Sequence, residues 1–327
     1  MTGIPELTEA EWVAAFRRTF GRKNSYSFVP LPSGSNEARV FEQVLAALLA
    51  DDPATAGGLI AGLGADGIHY TLVRVGGYGT RPLWGWMECA MPGTRAYRGW
   101  GPALVRPGEE GHTIYQAPHP RADGWTEHIA LRAFMDDEHA AVALFAGAHR
   151  YANGRDPAPA DAAHTPHNLL HVLTGVLAVR GRATGRPPWF VQFHGSADRT
   201  QQPAITASSG AAEPGLDEGS PLPRIAQRVQ AAGHLTIALC PGPKGARRPR
   251  RPLLCGTGNI QGNLLETLGL RHTFMHFETA QSARSAYRRG AGPGYDGIRD
   301  LLVAIRGELS RPAAVCGGSL RAPSKET

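Results

Sequence analysis

Apolar residues recur at helical spacing near the amino terminus. Residues 8–20 (TEAEWVAAFRRTF) and 35–50 (SNEARVFEQVLAALLA) predict two amphipathic helices, the second opened by Ser35 as N-cap with Glu37 in its first turn. Together they make residues 1–60 a short helical segment ahead of the main domain. From residue 68 the pattern changes to short apolar runs at 68–75 (IHYTLVRV), 83–89, 112–117 (HTIYQA), 140–146 (AAVALFA), 188–194 (PWFVQFH), 234–240 and 272–278 (HTFMHFE). Several are apolar at consecutive positions, as strands covered on both faces are. Helical patterns fall between them at 126–136, 161–180, 222–232 and 295–309. Strand alternating with helix predicts a three-layer α/β/α fold over residues 61–309, with a mostly parallel or mixed central sheet, and 310–327 as a flexible tail.

Composition narrows the class. Of 327 residues 42% are hydrophobic and 19% charged, enough apolar matter for a sizeable core and too little charge for a disordered chain. No run approaches the ~18 to 20 apolar residues that span a bilayer, and the amino terminus lacks an apolar export signal, so a cytoplasmic protein is expected. The cysteines, Cys89, Cys240, Cys255 and Cys316, form no C-x-x-C pair, which argues against a zinc knuckle or redox motif and for reduced thiols. The net charge of +6 is concentrated in Lys244–Arg251 (KGARRPRR), a run without aromatic residues that reads as a solvated loop. Nucleic acid is therefore not the expected partner. A non-catalytic protein engaging an anionic partner through 244–251 remains the alternative.

In α/β sheets ligands gather beyond the carboxyl ends of the strands. Here the strand ends carry chemistry: His119 through Glu127 after the run 112–117, His149 and Arg150 after 140–146, His194 closing 188–194, and Glu278 closing 272–278. A catalytic zinc takes three ligands from His, Asp and Glu and keeps one position open. His119 and His194 supply two. The third is a nearby carboxylate, Asp123 or, at the start of the following helix, Glu127, with Asp123 preferred.

The order of a histidine, a nearby carboxylate, a distant strand-end histidine and a late strand-end glutamate resembles the zinc carboxypeptidase superfamily. The segments PHPRADGWTEHIA, FAGAHRYANG, FVQFHG, GTGNIQG and FMHFETAQSAR are most similar to its N-formylglutamate amidohydrolase and poly-γ-glutamate hydrolase relatives, over residues 110–305. The His-x-x-Glu spacing of the carboxypeptidases is absent, His119 being followed by Asp at four and Glu at eight. The resemblance implies one zinc ion per chain on His119, Asp123 and His194, with Glu278 as the general base that activates water to cleave a peptide or N-acyl amide. Arg150 and Arg284 are candidates to grip a substrate carboxylate or neutralise the oxyanion. Asn259, with Gln261 in a Gly-rich polar turn, is a candidate for substrate hydrogen bonding. Asp161 reads either as the N-cap of helix 161–180 or, with His164, as a partner that orients a metal ligand.

Overall fold

In this computed structural model the described residues are 4–19, 28–76, 82–89, 97–108, 112–154, 158–200, 202–210, 219–240 and 253–310. The chain runs through β1 (Glu6–Leu7), α1 (Glu9–Thr19), α2 (Asn36–Leu49), α3 (Pro53–Leu63), β2 (Tyr70–Val75), β3 (Leu83–Glu88), β4 (Ala103–Val105) and β5 (Thr113–Ala117). It continues with α4 (Thr126–Asp136), β6 (Ala140–Phe145), α5 (Leu169–Ala183), β7 (Trp189–Ser196), β8 (Ile205–Ser208), α6 (Leu222–Ala232) and β9 (Ile237–Cys240). The last elements are α7 (Ile260–Thr267), β10 (Phe274–Ala280), α8 (Gln281–Arg289) and α9 (Pro293–Leu309).

The strands form one mixed sheet in the order β1-β2-β3-β4-β6-β5-β7-β10-β8-β9. Its middle, β6-β5-β7-β10, is parallel, so four carboxyl ends open on one edge. Helices cover both faces. On one, Tyr115, Val191, Phe193, Met275 and Phe277 pack against α1, α4, α6, α8 and α9; on the other, Ile114, Phe190 and Phe274 pack against α2, α3, α5 and α7. The three-layer expectation holds for a physical reason: strands buried on both faces need a helical layer on each. The first helices belong to these layers as well. The rings of Trp12 and Phe16 in α1 each lie 5.3 Å from Phe145.

Several elements differ from the sequence reading. The helix expected over 161–180 starts at Leu169, capped by Asn168, whose side chain accepts the His171 N–H; residues 161–168 are turns, where Asp161 Oδ1 accepts the Ala163 N–H at 3.2 Å without capping the helix. Helix α3 was hidden by its glycines, although Asp52 caps it and Pro53 opens it. Helix α7 starts inside the Gly-rich turn, with Asn259 as its cap. Strands β4 and β8 are too short, at 3 and 4 residues, to show a period. The cysteine expectation is also corrected: Cys240 and Cys255 are disulfide-bonded, with Cα atoms 5.5 Å apart. Ser208 brings them together, pairing with Cys240 in the β8–β9 register and donating its hydroxyl to Cys255 O, a proximity that a spacing of 15 residues cannot reveal. Cys316, the basic run 244–251 and residues 311–327 lie outside the described residues. No described helix is long and apolar enough to cross a membrane.

Candidate metal centre

Alternation along a strand sends successive side chains to opposite faces. In the parallel register His194 stands opposite Glu278, and Gln192 stands opposite both His276 and Gln116. These five residues therefore share one face, on the α5 and α7 side, where the carboxyl half of each strand turns polar. The chain leaves β5 at Ala117, and a wide turn, Pro120–Gly124, ends at Trp125 in left-handed backbone with φ 69°. The turn folds Asp123 back on His119, whose carbonyl accepts the Asp123 N–H at 2.9 Å.

Three donor atoms converge there. Asp123 Oδ2 lies 3.5 Å from His119 Nδ1 and 3.7 Å from His194 Nδ1, and all three residues are buried. Donors held tetrahedrally around zinc at ~2.0 to 2.1 Å lie ~3.3 to 3.5 Å from one another, so the spacing suits an ion at their centre. His119 Nδ1 is buried with no hydrogen-bond partner among the described residues. The far nitrogens are both engaged: His119 Nε2 lies 2.7 Å from Asp161 Oδ1, and His194 Nε2 lies 2.7 Å from Gln192 Oε1. A ligand ring held by its second nitrogen is the usual companion of a metal site. The donor set fits a divalent metal ion such as zinc.

Asp161 is a hub. Besides His119 it accepts Arg150 Nε and Nη2 at 3.0 and 2.6 Å, and it meets His164 Nδ1 at 2.9 Å. Burial alone would raise this carboxyl, but the hydrogen bonds from His119 and His164 and the Arg150 charge hold it well below the usual range. Burial lowers His119, yet Asp123 and Asp161 outweigh it and hold the ring at about 9. A metal ion would thus displace a proton from His119. Burial, reinforced by His276 and His119, pushes His194 well below its ordinary value. His119, Asp161 and His164 also lie within metal-ligating reach of one another. Asp161 Oδ1 is hydrogen-bonded to His119 Nε2, however, which leaves no room for an ion between them.

Glu278 borders the centre. Its Oε2 is buried with no hydrogen-bond partner among the described residues, and burial, with Asp123 adding to it, raises the carboxyl to about 7. Its Oε1 lies 3.7 Å from Nε2 of His276, whose ring is 4.5 Å from that of His194. Ser208 Oγ gives its hydrogen to Cys255 O at 2.7 Å and lies 3.2 Å from His276 Nδ1. Nδ1 must then be the donor, which leaves the His276 Nε2 lone pair turned towards Glu278. His276 was not singled out in the sequence. The available signal was its parity, two residues before Glu278 on the same strand.

The other candidates are placed as follows. Glu127, the rival carboxylate, is buried against Arg17 at 2.5 Å and joins none of the metal-ligating groups. Arg150 is partly exposed beside Asp161. Arg284 is buried and donates to Gly124 O at 2.8 Å, Ser196 O at 3.2 Å and Thr279 O, so one guanidinium ties together the segments that carry Asp123, His194 and Glu278. It lies where a Cβ at residue 195 would stand, 2.4 Å from Cζ, which explains Gly195. Asn259 is buried behind His194, bonded to Gln192. A cavity of about 550 Å³ opens elsewhere, among α4, α8 and α9, lined by Arg132, Tyr287, Arg288 and Arg299, and holds none of these residues.

Comparison with known protein families finds no match, and none of the curated proteins matches. Solved structures similar to part of the chain include the following. The zinc-free apo form of YndL shares 12% identity over 62% of this chain and 88% of its own, with a TM-score of 0.35. The gene product Atu2144 from Agrobacterium tumefaciens shares 12% over 60% and 89%, also at 0.35. An aspartoacylase family protein from Mesorhizobium loti shares 11% over 75% and 69%, at 0.34. Likeness of this size leaves function to be argued from the site itself.

Proposed function

We propose that the chain is a zinc-dependent hydrolase of amide-type bonds, peptide or N-acyl, with His119, Asp123 and His194 holding one ion and Glu278 acting as general base. The observation that carries this reading is the pair of buried Nδ1 atoms facing one carboxylate oxygen, with Glu278 Oε2, which has no hydrogen-bond partner among the described residues, on the adjacent strand. When bound, the metal supplies a Lewis acid that polarises a carbonyl and makes water acidic. The chain's own residues do the rest. Glu278 Oε2, without a hydrogen-bond partner among the described residues, takes the proton of the attacking water and returns it to the leaving nitrogen. Arg150, partly exposed beside Asp161, offers a fixed cation to a carboxylate on the substrate. Arg284 is assigned a positioning role, because its donors are directed at backbone carbonyls. The test is an assay of zinc-loaded protein on N-acyl amino acids and short acidic peptides. Turnover that disappears in Glu278→Gln supports the proposal; zinc-loaded protein inert on every amide, or a fully active Gln variant, contradicts it.

A further inference from the structure

Behind His194 the polar face packs the side-chain amides of Gln116, Gln192, Asn259 and Gln261 almost without exposure to solvent. Buried amides are costly unless their donors and acceptors are met, and a cluster is met only in particular orientations. Here those orientations are set from outside by backbone groups, which cannot flip. Asn259 caps α7, its Oδ1 accepting the N–H of Gln261 and of Gly262 at 3.0 Å each, so its Nδ2 turns to Gln192 and donates to Oε1. Gln261 Nε2 donates to Ala162 O at 2.8 Å, so Gln261 Oε1 faces Gln192 Nε2 at 3.4 Å. On α5, Thr174 gives its hydroxyl hydrogen to Leu170 O at 2.7 Å and must accept from Gln116 Nε2, at 2.8 Å. Gln116 Oε1 is then left to accept Gln192 Nε2, at 2.9 Å. The three chains agree on one orientation of Gln192, with Nε2 towards Gln116 and Gln261 and Oε1 towards Asn259 and His194.

An oxygen 2.7 Å from His194 Nε2 is an acceptor, so Nε2 must carry the hydrogen. We propose that the buried amide cluster is a tautomer lock: through Gln192 it holds His194 as the Nε2–H imidazole and keeps the Nδ1 lone pair fixed towards the metal position. Asn259 then serves the ligand rather than the substrate. The lock rests on the reading of His194 as a metal ligand. With Gln192 reversed, an N–H would meet Nε2, the ring hydrogen would move to Nδ1, and the ligand position would close.

Asn259→Asp is the direct test. Aspartate still caps α7 but has no N–H for Gln192, so oxygen faces oxygen and the tie from α7 now opposes the orientation that Gln116 and Gln261 favour. Nitrogen-15 NMR of the histidine rings in the metal-free protein reads the tautomer; competition with a zinc chelator reads affinity. The wild type is expected to show Nε2–H, and the variant a mixture of Nε2–H and Nδ1–H with zinc bound ~10- to 100-fold more weakly. Thr174→Val, which removes the acceptor for Gln116 at the other end, is expected to act in the same direction, while Thr174→Ser retains the wild-type tautomer. A wild-type His194 in the Nδ1–H form overturns the lock, as does an unchanged tautomer with zinc affinity within roughly twofold in both Asn259→Asp and Thr174→Val. Nε2–H in a wild type that binds no zinc removes the metal reading and keeps the lock.

Discussion

The two faces of β7 and β10 are both largely buried and chemically opposite. Towards α4, α6, α8 and α9 the strands present Val191, Phe193, Met275 and Phe277; towards α5 and α7 their carboxyl halves present Gln192, His194, His276 and Glu278. The apolar row needs no explanation beyond the core. The polar row incurs desolvation that only hydrogen bonds or a ligand can offset. At the proposed centre two fully buried atoms, His119 Nδ1 and Glu278 Oε2, have no hydrogen-bond partner among the described residues. On the proposed function, the apolar face holds the fold and the polar face holds the chemistry.

Breaking the polar row should change function and leave the fold. Glu278→Gln keeps volume and hydrogen-bonding reach but cannot accept a proton, so kcat should fall ~10²- to 10⁴-fold at unchanged zinc content and melting temperature. A lower melting temperature with activity per folded molecule preserved would instead make Glu278 a structural partner. Breaking the apolar row should do the reverse. Phe193→Ala, next to His194 but facing the other way, should cost about 3 to 5 kcal/mol in denaturant unfolding, with zinc stoichiometry kept by the folded fraction. Loss of metal from a fully folded variant would erase the division.

A buried carboxyl outside the site sharpens the contrast. Glu88 is also raised to about 7 by burial, yet it accepts the backbone N–H groups of Arg98 and Gly99, whereas Glu278 Oε2 has no partner among the described residues. A folded-state pKa above the unfolded one gives a contribution that is complete below about 4.5 and is lost as pH rises through about 7. The stability of the wild type relative to Glu88→Gln should therefore fall by about 3 kcal/mol from pH 4.5 to 7.5. A pH-independent difference would show that Glu88 does not bind its proton more tightly in the fold. The smallest expected effect is that of Arg150→Lys, which replaces a planar fork by a point charge and should raise KM for a carboxylate-bearing substrate ~10-fold more than it lowers kcat. An equal fall in kcat and kcat/KM would move Arg150 from substrate grip to transition-state stabilisation.

The layered fold was legible because consecutive apolar residues and helical periods are local signals, and each long strand and helix carries its own. What escaped was set by partners distant in sequence. On paper Asp123 is only narrowly preferred to Glu127; the wide turn to Trp125 and the pull of Arg17 on Glu127 separate them. Residue type names Asn259 and Arg284 as candidate substrate donors; in the fold the first caps a helix behind His194 and the second donates to three carbonyls. Gln116 and Thr174, 58 residues apart, carry no motif at all. Only the packing of α5 on the sheet makes them neighbours.

The central claim is that His119, Asp123 and His194 form one metal site, and zinc titration of metal-free protein tests it most directly. The account predicts about one zinc ion per chain, with the high-affinity site lost in a His119→Ala, His194→Ala double variant that still folds. The same stoichiometry and affinity in wild type and double variant would contradict it.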